Sequence, residues 1–253
     1  MTSHRENNSA PTEPAFRARK VLIVSGGHFV HDVFSSFLAP FFLLASALLY
    51  VHLQGASFRP GRRSDATLGE IWGALSRIMI PVSGVMVCRA FMAASLVAFL
   101  PTFMVTSGKS LWLGGASLAV LELSGTVGTL SGGTLSDRVG RHAVLAVAVS
   151  VSSISMLGFV HASGWILFPC LLILGGTLFA ASPVVLALVQ DHCPTHRGAA
   201  NGLYMGFNFL SMGFVTLLVG WLADIIGLKM AFTVSALIGL GAVPIVFLLP
   251  RLP

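Results

Sequence analysis

From residue 79 onward the chain is a succession of apolar runs, at roughly 79–107, 111–135, 143–162, 164–189, 199–226 and 229–249, joined by links of a few residues. Within hydrocarbon every backbone N–H and C=O must be bonded inside its own segment, which leaves the α-helix as the spanning element for runs of this length. Links this short make consecutive helices antiparallel neighbours. A further run, Val21 to Leu53, precedes them. The pattern predicts an all-α fold: a polytopic membrane protein with about seven transmembrane helices, six of them forming one bundle.

Composition agrees. Apolar residues make up 55% of the chain and charged residues 9%, against about a quarter charged in soluble domains. The net charge of +6 sits in loops, where it serves orientation and contact with anionic lipid rather than nucleic acid. Cys88, Cys170 and Cys193 have no metal-ligand spacing and read as reduced packing residues. No nucleophile–base arrangement, phosphate-cradling glycine loop or metal cluster stands out, so enzyme, metal and cofactor functions gain no support.

The expected organisation is a polar, disordered tail at 1–20, a first membrane segment at 21–53, a basic loop at 54–78 and the six-helix bundle at 79–253. Within the loop, Leu68 to Leu75 has apolar residues at helical spacing and is expected to lie along the membrane surface. Arg59, Arg62, Arg63, Arg77, Arg138, Arg141, Arg197 and Arg251 fall on one side of the bundle, and Lys109 and Lys229 on the other. The positive-inside rule makes the arginine side cytoplasmic. The first segment conflicts with this count. A helix of its length would be roughly 50 Å, too long for one span of a ~30 Å core and too short for two. Arg5, Arg17, Arg19 and Lys20 also draw its start to the cytoplasmic side, and Pro40 is a place for it to break.

One link carries a motif, Gly133-Thr-Leu-Ser-Asp137-Arg138-Val-Gly140-Arg141-His142. Glycines permit the tight turn, and an acid among the arginines neutralises charge at the membrane edge. The pattern G-x-x-x-D-R-x-G-R resembles the loop signature of the major facilitator superfamily of secondary transporters. Glu122-Leu-Ser-Gly125 before it resembles the fosmidomycin-resistance branch of drug exporters. Gly133 to Gly140 is echoed by Gly220-Trp-Leu-Ala-Asp224-Ile-Ile-Gly227, again at the end of the second helix of a three-helix set. Because three helices is an odd number, the two copies end on opposite faces, as in an inverted repeat.

The resemblance extends further. Gly27-His28-Phe29-Val30-His31-Asp32 is similar to the opening of the first family helix, 41–53 to the end of the sixth, and 68 onward to helices seven to twelve. A block of about four to five helices is absent, which implies an internally shortened chain. The family implies proton-coupled export of a small anionic or drug-like molecule, by rocking of two six-helix bundles about a midplane site, in a bacterial-type inner membrane. With one bundle here, transport is expected to need a homodimer or a complementary half-transporter. The competing reading is a non-transporting remnant or an assembly partner.

Ionisable residues within spans are costly and mark function or pairing. Asp32, Arg89 and Glu122 each lie ~15–17 Å into their segments. Arg89 and Glu122, on consecutive antiparallel helices, are expected to pair, as a substrate or proton site or as a structural ion pair. His28 and His31 beside Asp32 suit proton transfer. A metal site there is disfavoured because residues 31 and 32 point in different directions on a helix. Gly198, Gly202 and Gly206 form a small-residue stripe expected to admit a close helix neighbour. Asn201 and Asn208 near it suit substrate contact or interhelical bonding. Pro101, Pro169 and Pro183 are expected to bend their helices. Asp137 is expected to neutralise Arg138, Arg141 or a helix end, and Asp191, His192, His196 and Arg197 to be solvated or to engage neighbouring loops.

The charge count predicts a labelling pattern. In a cysteine-free background, an impermeant thiol reagent added outside modifies a cysteine at Lys109 and spares one in the 133–142 loop. External modification of that loop would overturn the orientation.

Overall fold

The computed structural model describes residues 68–250 and, before them, Leu44, Ala47, Leu48 and Val51. The first segment and most of the 54–78 loop lie outside the described residues. Six helices follow in order: α1 Leu68–Thr106, α2 Leu111–Val139, α3 Arg141–His161, a 3-10 turn Gly164–Ile166, α4 Leu167–His192, α5 Arg197–Ile226 and α6 Leu228–Leu248. All six are long and apolar enough to cross a membrane, and the described residues contain no strand.

Helix boundaries fall within a few residues of expectation except in two places. The stretch 68–78 is the opening of α1 rather than a separate surface helix, and Leu75 and Ile78 are buried in the bundle core. At 39 residues α1 is ~58 Å long, about twice the hydrocarbon thickness. Its first turns therefore reach past the membrane on the Asp137 side. At the other end of its own span, α2 continues to Val139 and takes in most of the 133–142 motif.

The internal repeat is a repeat of backbone. Gly140 (φ 104°, ψ 138°) ends α2 and starts α3, and Gly227 (φ 81°, ψ 154°) does the same for α5 and α6. Residues with a Cβ rarely take this conformation. Each glycine N–H donates to the carbonyl four residues back, Ser136 or Ala223. Each glycine carbonyl accepts from the amide four residues ahead, Val144 or Ala231. One non-helical residue thus suffices to reverse the chain, at equivalent points of α1–α3 and α4–α6.

The closest seam joins these two halves, α2 against α4. A Cβ on Gly128 would overlap the Gly176 carbonyl, one on Gly132 the Ala180 carbonyl, and one on Gly125 the Phe179 ring. From the other side, a Cβ on Gly175 would overlap the Leu121 carbonyl and the Ser124 hydroxyl. Without a hydrophobic drive between helices in lipid, such backbone contact is what holds them. The stripe expected to play this part, Gly198, Gly202 and Gly206, meets nothing within 4 Å of a built Cβ among the described residues. Four-residue spacing makes a flat face, but a seam also needs small residues opposite. α4 supplies them to α2, and nothing described supplies them to α5.

The core divides along the helix axes. On the Asp137 side Leu75, Val82, Val85, Leu145, Val185 and Val246 pack together. On the Lys109 side Phe103 stacks on Phe232 (4.8 Å between centroids) and tilts against Phe159 (5.7 Å). Between them α1 carries polar residues: Arg89, then Ser95, whose hydroxyl is hydrogen-bonded to that of Ser235 at 2.9 Å. Trp112, Trp165 and Trp221 stand exposed near the Lys109-side ends of their helices, where indole suits the membrane interface. Pro81, Pro101, Pro183 and Pro244 are inside helices. Pro169 is in the first turn of α4, where no intrahelical bond is lost, so the expected bend there has no cause.

The two glycine sets predict opposite outcomes. Gly128→Ala or Gly132→Ala forces α2 away from the α4 backbone and lowers stability by about 1–3 kcal/mol. Gly202→Ala or Gly206→Ala is neutral or stabilising by up to about 1 kcal/mol through helix propensity. Thermal-unfolding midpoints of the purified protein in detergent check both.

Candidate functional site

Arg89 lies on α1 between the two apolar halves of the core and is 8% exposed. Its Nη2 donates to the Leu178 carbonyl at 2.7 Å and to the Ser182 hydroxyl at 2.9 Å, both on α4. Its Nε is buried with no hydrogen-bond partner among the described residues. The α4 segment it grips precedes Pro183, which has no N–H to offer the Phe179 carbonyl four residues back. Thr129 of α2 reaches that carbonyl at 3.5 Å. From α5, the Tyr204 hydroxyl donates to the Ser182 carbonyl at 3.2 Å. Three helices therefore converge on one weakened turn of α4.

Beside Arg89 is a cavity of about 200 Å³ between α1, α4 and α5. Met86, Phe179, Ser182, Asn208 and Met212 line it with Arg89, and no carboxylate does among the described residues. A cation, an amide and a hydroxyl facing a mostly apolar space make a site that favours negative charge. A second cavity, about 670 Å³ between α2, α3 and α4, is larger, but no charged side chain lines it.

The expected ion pair is not formed: Glu122 is exposed on α2, and Arg89 bonds to α4 instead. Residue count along each helix fixes depth, but the two side chains point to different azimuths. Asn208 does reach the Arg89 cavity. Asp32, His28 and His31 lie outside the described residues. Ser182 and Tyr204 were not anticipated. The available signal was Asn201, Tyr204, Asn208 and Ser211, spaced to share one face of α5. Tyr204 and Ser211 are buried, and Asn201 has a buried, unpartnered Oδ1.

At the Asp137 end the motif is organised around Arg141. Its Nη1 pairs with Asp137 Oδ1 at 3.1 Å, and its Nε pairs with Asp191 at the end of α4. Nη1 also lies 3.3 Å from the Ser136 hydroxyl, to which it donates. Asp137 thus neutralises Arg141 rather than Arg138, which forms no ion pair among the described residues. Gly140 supplies the turn, and a Cβ on Gly133 would meet Pro183 only at ordinary contact distance. Of its two expected roles Asp191 takes the second, engaging the neighbouring 133–142 link through Arg141. Nearby, burial pushes the Cys193 thiol up from its ordinary range, as suits a reduced packing residue; Cys88 and Cys170 are also free.

The family model described as Major Facilitator Superfamily matches residues 21–216. The chain belongs to the major facilitator superfamily. It is an integral, multi-pass membrane protein of a transporter family. Among curated proteins, the cyanate transport protein CynX of Escherichia coli (strain K12) is 27% identical over 165 residues, covering 63% of this chain and 43% of that protein. Among solved structures, the superfamily transporter FucP in an outward conformation is similar with a TM-score of 0.71 at 17% identity, over 93% of this chain and 61% of that one. The E. coli fucose:proton symporter FucP, in a variant form, matches with the same TM-score and 62% of its chain. This chain thus spans less than two thirds of each of these relatives.

The Arg141 pairs differ in exposure, with Asp137 at 62% and Asp191 at 26%. Asp137→Asn changes stability by less than about 1 kcal/mol. Asp191→Asn, which unties α3 from α4, costs roughly 1–3 kcal/mol. Thermal unfolding of the two variants, each also combined with Arg141→Gln, measures the difference.

Proposed function

We propose that this chain is one bundle of a secondary transporter for a small anion, held at the membrane midplane by Arg89 with Ser182 and Asn208. The single observation that carries the reading is Arg89 itself, a buried guanidinium with neither a carboxylate beside it nor a partner for its Nε among the described residues. A buried, unneutralised cation is costly, and an anion in the adjoining cavity offsets that cost. The relative named for cyanate transport supports a small anionic substrate. The fosmidomycin-resistance-like wording around Glu122 and Gly27–Asp32 supports proton-coupled export, with Asp32, His28 and His31 as the proton-handling candidates. Glu122, exposed on α2, then faces whatever packs against that helix.

The proposed cycle rocks this bundle against a second one in a bacterial-type inner membrane. A second copy or a complementary chain supplies the other bundle, because the described residues form one six-helix bundle and rocking needs two.

The test is cyanate binding to the purified full chain in detergent by titration calorimetry, followed by cyanate flux in proteoliposomes. Arg89→Gln weakens binding roughly 10- to 100-fold and leaves thermal stability unchanged or higher, since it removes a buried charge. A structural role for Arg89 predicts the reverse, lost stability with binding intact. If neither cyanate nor acetate binds the wild type, the anion reading falls. If anions bind but none crosses the membrane, the non-transporting alternative is the better account.

A further inference from the structure

We propose that the Lys109-side face carries a second anion site, distinct from Arg89: the cavity bounded by Lys109, His161 and Lys229, which takes a phosphate or carboxylate group. The bundle reverses three times on this face, and each reversal contributes one basic residue. Lys109 comes from the link between α1 and α2, His161 ends α3, and Lys229 is the second residue of α6. All three line one cavity of about 250 Å³, together with Ser107 and Ser163.

The chain has three lysines, and two of them meet here, on the face where positive charge is scarcest. Scattered solubilising charges would sit on separate sectors of the rim. Among the described residues no carboxylate lines the cavity and neither lysine forms an ion pair. Lys109 is half-buried. The His161 Nδ1–H donates to the Leu157 carbonyl at 2.9 Å, which fixes the ring in the cavity wall. The floor is apolar, with Phe103, Val160 and Leu167, and lowers the local dielectric, so each charge acts more strongly on a ligand. Two ammonium groups and two hydroxyls are the donor set of an oxyanion site.

This site is separate from the midplane one. Its walls come from α1, α3, α6 and the start of α4, whereas the Arg89 cavity lies between α1, α4 and α5. Along α1, Arg89 is 17 residues from Thr106, or ~25 Å, so one small ligand cannot span both. The site lies at the membrane surface, where the same oxyanion chemistry is offered by a phospholipid headgroup and by a free anion.

Two measurements on the full chain distinguish the sources. Native mass spectrometry after exchange into mixed micelles compares retention of phosphatidylglycerol with that of phosphatidylcholine. Calorimetric titration with inorganic phosphate in lipid-free, non-ionic detergent at fixed ionic strength reads a free anion. The wild type retains phosphatidylglycerol selectively, binds inorganic phosphate, or does both. The double variant Lys109→Gln, Lys229→Gln weakens whichever binding is seen by roughly tenfold or more, and Lys109→Arg, Lys229→Arg restores it. Arg89-dependent cyanate binding persists in the double Gln variant, so failure here and failure at the midplane are told apart. The double variant Ser107→Ala, Ser163→Ala gives an independent partial loss should the lysine double variant unfold. Absence of both kinds of binding in the wild type, or binding undiminished in the double Gln variant, overturns the proposal.

Discussion

The contact on which the bundle depends is the backbone approach of α2 to α4. Lipid gives apolar side chains no reason to leave it for one another, so helices associate where they can pack more closely than acyl chains can. Gly125, Gly128 and Gly132 remove the side chains from one face of α2, and Gly175, Gly176 and Ala180 do so on α4. This seam crosses from the first three-helix set to the second. It fixes the position of the α4 turn at 178–182, which Arg89 of α1 and Tyr204 of α5 then grip. At its Asp137 end the same two helices are tied again, through Arg141, which holds Asp137 of α2 and Asp191 of α4. The midplane site and the motif at the membrane edge are therefore two attachments to one pair of helices.

Much of this architecture was legible in the sequence because membrane insertion writes itself in run length and charge. The six bundle spans, the Gly140 and Gly227 reversals and the repeat they mark all follow from residue order alone. What was not legible is azimuth. Arg89 and Glu122 were correctly placed within apolar helices, yet they do not pair, because Leu121 occupies the inward face of α2 and Glu122 the neighbouring direction. The same ignorance left the stripe on α5 without a partner among the described residues. Gly198, Gly202 and Gly206 have a more regular spacing than the α2 glycines, but spacing on one helix says nothing about what stands opposite.

The opening of α1 failed for a related reason. The apolar spacing of Leu68 to Leu75, in a loop counted as cytoplasmic, suggested a helix along the membrane surface. In the structure Arg77 is exposed while Leu75 and Ile78 on either side are buried. A helix longer than the membrane is thick can carry an arginine on its outer face and continue without interruption. Charge marks where a helix leaves hydrocarbon, not where it ends.

The buried arginine also bears on how such a bundle could change shape. Arg89 bonds to the turn of α4 just before Pro183, where the helix has lost a backbone donor and is least able to resist bending. An anion that drew the guanidinium away from the Leu178 carbonyl would weaken one of the holds on that turn, while the Tyr204 bond from α5 would remain. Ligand charge and helix geometry would then be coupled through a single side chain, with no need for a longer path. The carbonyl and the anion would compete for the same donors, and the balance between them would depend on how well each is desolvated. In the proposed transporter, that competition is the element through which substrate binding biases one arrangement of α4 over another.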